Sequence, residues 1–138
     1  MTLEAPLRRV TGKSYPQQDF SLPFRLAAPS VSLVSGTPQA LFTPSGKTAL
    51  VTLVLIEITG ITGTVTADAW ADIGVTAGDL FKNEELTQVR AVGDIWAFTP
   101  KGKMKRVTTG NTINLTVNTL PVGVTVLGAT AHVFGSLY

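Results

Sequence analysis

Apolar and polar residues alternate over Ile113–Asn118, where Ile113, Leu115 and Val117 interleave with Asn114, Thr116 and Asn118. That period of two belongs to a half-buried strand. It lies in a final stretch, Val107–Tyr138, that holds no Lys, Arg, Asp or Glu. The stretch reads as two long strands joined around Leu120–Gly123, the second running from Val124 nearly to the last residue and tying the C-terminus into a sheet. The longest apolar run is Lys47–Thr59 (KTALVTLVLIEIT). Leu50, Val54 and Ile56 would lie on one face and Val51, Leu53 and Leu55 on the other. Both faces are therefore expected to be covered, within a sandwich or at a subunit contact. Thr59–Gly63 reads as the turn that closes this strand, with Thr64–Trp70 returning.

The remaining segments are shorter. Val31–Val34 and Ala40–Phe42 predict two strands around the turn cluster Ser35–Pro38, and Ser45-Gly46 makes a second turn. Asp72–Gly78 is turn-rich. Asp79–Gln88 is the only helix candidate, capped by Asp79 or Asn83, with a loop containing one helical turn as the alternative. Ile95–Thr99 is an aromatic strand, followed by a tight turn at Pro100–Lys103. About eight strands, with turn signals at roughly 8–12-residue spacing, predict an all-β fold: an antiparallel jelly-roll-like β-sandwich or barrel over residues 31–138. Residues 1–30 differ. Pro6, Pro16, Pro23 and Pro29 break helices and central strands, while Tyr15, Phe20 and Phe24 supply aromatics that a disordered tail normally lacks. They read as an extended N-terminal arm seeking a groove on its own domain or a neighbour; the alternative is a leader without a role.

Composition sharpens this picture. A chain of 138 residues is one domain able to bury roughly two-thirds of its unfolded surface. Val, Ile and Thr together number 41, which suits a pleated sheet. Charged residues make up 14%, against about 25% in an average soluble domain, so either the fold buries most of its chain or, as is expected, part of its surface is covered by a partner. A net charge of +2 is too small to argue for nucleic acid. The absence of cysteine leaves no disulfide framework and no thiolate metal site. The N-terminus has no apolar run behind Arg8 and Arg9 and does not read as a signal peptide. Ala49–Ile58, with Glu57 inside it, is too short for a membrane span.

Little in the chain carries chemistry, and no enzyme, metal or cofactor is expected. The sole histidine, His132, sits between Ala131 and Val133 on the closing strand and reads as a packed or interface residue. Asp68 with Asp72, and Glu84 with Glu85, lack the spacing of a calcium loop and read as solvated surface. Gly60–Gly63 is no phosphate loop, because no Gly-Lys-Ser/Thr follows it. Lys101, Lys103, Lys105 and Arg106 put four cations in six residues at a hairpin tip. They are read as a solvated turn or a protein-partner contact, with nucleic acid the poorest fit because no aromatics interleave them.

Lys47–Thr59 after a Ser-Gly turn, the segment Asp72-Ile73-Gly74, the late turn Val107–Asn111 and the closing TAHVFGSLY of Thr130–Tyr138 together resemble small β-sandwich virion proteins of tailed bacteriophages. The resemblance covers the chain from Gly46 onward and is one of style and spacing. It implies a head decoration protein, head fibre or tail-fibre piece, commonly trimeric. The expected function is mechanical: a homotrimer bound to the outside of the assembled capsid, made in the host cytoplasm, clamping neighbouring capsomers of the major capsid protein. Arg8, Arg9, Tyr15, Phe20 and Phe24 are the expected lattice contacts, with Lys101, Lys103, Lys105 and Arg106 next. Neither nucleic acid nor membrane is an expected partner. The alternative is a receptor- or glycan-binding domain of a tail fibre, with Trp70, Trp96 and Tyr138 as stacking platforms, although both tryptophans are expected in the core.

Overall fold

A computed structural model describes residues 24–76, 78–101 and 104–138. They form ten strands and, among the described residues, no helix: β1 (Phe24–Ala27), β2 (Ser30–Ser32), β3 (Gln39–Phe42), β4 (Ala49–Ala67), β5 (Trp70–Gly74), β6 (Phe81–Glu85), β7 (Ile95–Phe98), β8 (Arg106–Val107), β9 (Ile113–Thr119) and β10 (Val122–Leu137). One six-stranded antiparallel sheet has the order β1-β10-β4-β7, with β2 also beside β10 and β8 also beside β4. A second, four-stranded sheet has the order β3-β9-β5-β6. The fold is an all-β sandwich.

The two sheets share one core. Val54, Ile56, Phe98, Ala131 and Val133 come from the first sheet, and Ala71, Ile73, Phe81, Ile113, Leu115 and Val117 from the second. Phe81 of β6 meets Phe98 of β7 with ring centroids 5.7 Å apart, a tilted contact that joins the sheets. Full burial of side chains of this size contributes about 1.5–3 kcal/mol each. The alternation read in β9 holds: Ile113, Leu115 and Val117 are buried, while Asn114 and Thr116 are only half-buried.

Several expectations are corrected. Thr59–Gly63 does not close a strand, because β4 runs straight through it to Ala67 and pairs with β10 throughout, from Ala49 opposite Leu137 to Ala67 opposite Val122. The glycines absorb a bend instead. Gly63 has φ 103° and Gly123 has φ 95°. A Cβ on Gly63 would strike the Gly123 carbonyl oxygen, and one on Gly123 the Thr64 carbonyl oxygen. The backbones therefore approach as closely as only glycine allows. A register shift between Val51 and Leu53 places Val51 on the inner face with Val54, not beside Leu53 and Leu55. The last two strands, joined around Leu120–Gly123 as read, lie in different sheets, β9 in the second and β10 in the first. The helix candidate Asp79–Gln88 forms β6, where Phe81 needs an inward position against Phe98, and positive φ at Asn83 (52°) and Gln88 (65°) is incompatible with a helix. Residues 24–30, assigned to the arm by sequence, form β1 and the start of β2 on the first sheet.

The loop from Leu86 to Asp94 lies against the passage from β4 to β5. Leu86 N–H donates to the Ala69 carbonyl, and Gly93 N–H to that of Ile58. The Arg90 guanidinium donates to the Val65 carbonyl and to Asp68, both at 2.9 Å. Leu86 and Val89 are buried beneath. The Asp94 carboxylate accepts the backbone N–H of Arg90 and of Ala91, and those bonds hold it below its ordinary value of 3.8.

Two predictions arise here. Gly123→Ala should lower stability by about 3 kcal/mol, from left-handed strain and collision together. Gly46→Ala, at φ 70° with open space around its Cβ, should cost about 1 kcal/mol. Denaturant unfolding checks the difference. Because the Asp94 pKa is depressed on folding, its stabilisation is present above the ordinary carboxyl value and is lost as pH falls through the folded one. Wild type should therefore lose more stability than Asp94→Asn on acidification below about pH 4, read from melting temperature against pH.

Candidate functional site

The pairing register gathers residues from three distant segments at one end of the sandwich. Phe24 opens β1 opposite Gly135, and Gly135 lies opposite Val51. One step further, Leu50 pairs with both Ser136 and Arg106 of β8, and Ala49 with Leu137 and Val107. Tyr138 then exchanges both backbone bonds with Thr48 at 2.9 Å. The Arg106 guanidinium sits 5.6 Å from the centroid of the Tyr138 ring, a cation–π contact. The first described strand, the C-terminus and the cationic turn thus share one end. Exposed apolar side chains collect there too: Phe24 is 61% accessible, Tyr138 55% and Met104 47%.

The cations at this end are largely compensated. Lys105 Nζ lies 3.0 Å from Asp79, and Lys101 Nζ 3.1 Å from Glu84. Asp79 also accepts the backbone N–H groups of Val75 (3.0 Å) and Thr76 (3.4 Å), closing the turn between β5 and β6. A hollow of about 230 Å³ opens between that turn and β8, lined by Val75, Thr76, Asp79, Lys105, Arg106 and Asn111. A second, of about 250 Å³, lies between Lys82, Glu84, Thr99 and Lys101. A backbone phosphate favours unpaired cations. Aromatic and aliphatic side chains mixed with cations already bound to carboxylates are better suited to a protein surface.

Among the expected contacts, Phe24, Lys105 and Arg106 share this end, Phe24 on the flank away from the two cations, while Lys101 lies against β6 at Glu84; Arg8, Arg9, Tyr15, Phe20 and Lys103 lie outside the described residues. Trp70 and Trp96 are half-buried instead of fully enclosed, and Trp96 packs against the core with its indole N–H unpartnered. Asp68 serves Arg90, Glu84 serves Lys101, and Asp72 accepts the backbone N–H of Asn83. Among the described residues no three His, Asp or Glu side chains form a group that could hold a metal ion.

Sequence reasoning missed one constellation. On the outer side of the first sheet, His132 Nε2 lies 3.0 Å from Glu57 and Nδ1 3.3 Å from the Arg25 guanidinium. A guanidinium only donates, so Nδ1 is the acceptor and Nε2 carries the proton given to Glu57. These three residues stand on β10, β4 and β1, and only the strand register makes them neighbours.

No protein-family model matches this chain, and no curated protein or solved structure matches it. Asp79 is therefore judged on its geometry alone. Asp79→Ala should cost about 1–2 kcal/mol, since two backbone N–H groups lose their acceptor. Lys105→Ala should cost under about 0.5 kcal/mol, as expected for an exposed ion pair. Urea unfolding of the two variants distinguishes these effects.

Proposed function

We propose that the chain is a structural protein of a bacteriophage virion, a homotrimeric decoration protein held on the outer surface of the capsid. The observation that carries this reading is the convergence of Phe24, Lys105, Arg106 and Tyr138 on one end of the sandwich. Residues 1–23 join the described chain at that same end, through Phe24. A single attachment end, apolar and cationic, leaves the rest of the domain free to stand out from a surface. The segments that carry the resemblance also fall on framework elements: Lys47–Thr59 leads into and forms the first half of β4, Asp72–Gly74 ends β5, and Thr130–Tyr138 closes β10.

The strand order supports the jelly-roll reading. β2, β10, β4 and β7 of one sheet continue into β3, β9, β5 and β6 of the other, in the same order. That is how a folded antiparallel ribbon winds into an eight-stranded jelly roll. Around a symmetry axis, several copies would add weak contacts through effective concentration. The major capsid protein is the partner, and the attachment end supplies its contacts. The role is mechanical, clamping neighbouring capsomers.

The test is copy number per purified particle, quantified by mass spectrometry against the major capsid protein. A fixed stoichiometric ratio to the capsid subunit is expected, together with loss of head binding when residues 1–23 are deleted and weakened binding for Phe24→Ala with Arg106→Ala. A handful of copies per particle would instead place the protein on the tail and favour the glycan-binding alternative. Normal head occupancy by the truncated chain would rule out the arm as the attachment element.

A further inference from the structure

The two sheets differ on their outer faces. On the second sheet the outward positions Asp72, Asn114 and Thr116 are polar, as a water-facing antiparallel sheet requires. On the first sheet the outward positions are mostly apolar. Leu53 stands opposite Phe134, Leu55 between His132 and Ala97, and Glu57 between Thr130 and Ile95. Leu53, Leu55 and Phe134 are half-buried by one another, and Ile95 at the rim is 57% accessible. Among the described residues no strand packs over them.

The polar groups on this face are arranged so that it can be covered. Arg25 donates to His132, and His132 donates to Glu57, across three neighbouring strands. The imidazole has a partner at each nitrogen, so removing water leaves no orphaned ring atom. The line is also polarised. Arg25 stands exposed at the β1 edge with guanidinium donors to spare. Glu57, with its side chain 41% accessible, meets His132 through one carboxylate oxygen and keeps the second for another donor. The face asks its occupant for no net charge, only for an anion beside Arg25 at the β1 edge and a cation beside Glu57 on β4. A second copy of this chain carries both.

We propose that this face, centred on Leu53, Leu55 and Phe134, is the contact between copies of the chain, with Arg25 of one copy meeting Glu57 of the next. The proposal rests on the reading of the chain as a homo-oligomer and names the surface that reading left open. Each copy offers Arg25 to one neighbour and Glu57 to the other, a heterologous contact that a three-fold rotation closes into a ring. The first sheet is then buried around the axis, while the second sheet faces water.

Light scattering on the full chain, in solution and without heads, tests this separately from capsid attachment. Wild type should have the mass of a trimer. Leu55→Asp should reduce it to the 14.5 kDa of one chain. Glu57→Arg should do the same without placing a charge among the leucines, and combining it with Arg25→Glu should restore the trimer. Thr116→Asp, on the second sheet, should leave the mass unchanged. Circular dichroism and melting of each variant establish that it is folded, and if Leu55→Asp fails to fold, the charge-reversal pair decides. A single-chain mass for wild type at its highest soluble concentration overturns the proposal, as does a folded Glu57→Arg variant that remains trimeric. Trimers that do not bind heads would leave this interface standing and remove the decoration reading; monomers that bind heads would do the reverse.

Discussion

The antiparallel ladder between β4 and β10 is the constraint on which the rest depends. It runs from Ala49 opposite Leu137 to Ala67 opposite Val122, joining the middle of the chain to its end. Each of its strands passes almost directly into the second sheet, β4 into β5 and β10 back through β9, so the same two segments are central in both layers. The close approach at Gly63 and Gly123 lets the ribbon bend as it crosses. Everything else is added to its flanks: β1 and β2 beside β10, β7 and β8 beside β4. A fold organised around so non-local a pairing must close long loops before its contacts are rewarded, which slows folding relative to a helical domain of the same size.

The ladder also determines where function can reside. Its register carries Arg106 and Phe24 to opposite flanks of one end and brings the C-terminal Tyr138 beneath the Arg106 guanidinium. The other products of the register are the line Arg25–His132–Glu57 and the apolar patch around it. Neither feature is a pocket for small-molecule chemistry. One is a mixed apolar and cationic end, the other a sheet face with satisfied polar groups. On the proposed reading both serve contact with other proteins, the end toward a surface and the face toward a neighbour.

Much of the fold was legible because period-two patterning reports burial directly. Ile113, Leu115 and Val117 were identified as inward residues, and Lys47–Thr59 was read as apolar on both faces. What failed has physical causes. Gly and Thr at 59–63 carry turn chemistry, but glycine serves a bulged strand equally well, and only the partner strand distinguishes the two uses. In Asp79–Gln88 the acidic residues suggested a helix start, yet Phe81 and Leu86 are not spaced for one helical face, and tertiary packing against Phe98 prevailed. Asp79 was read as a helix cap, whereas it closes the turn between β5 and β6. The outer line could not be read at all, since Arg25, Glu57 and His132 are far apart in sequence and become neighbours only through register.

On the proposed reading, one end of the sandwich faces the capsid. Hydrogen–deuterium exchange, compared between the free protein and the protein bound to heads, addresses it most directly. Slower exchange on binding at Phe24–Ala27, around Lys105–Val107 and at Leu137–Tyr138, with the loop from Leu86 to Asp94 unchanged, is the predicted result. Protection concentrated instead on Leu86–Asp94 and Leu120–Pro121, at the opposite end, would contradict it.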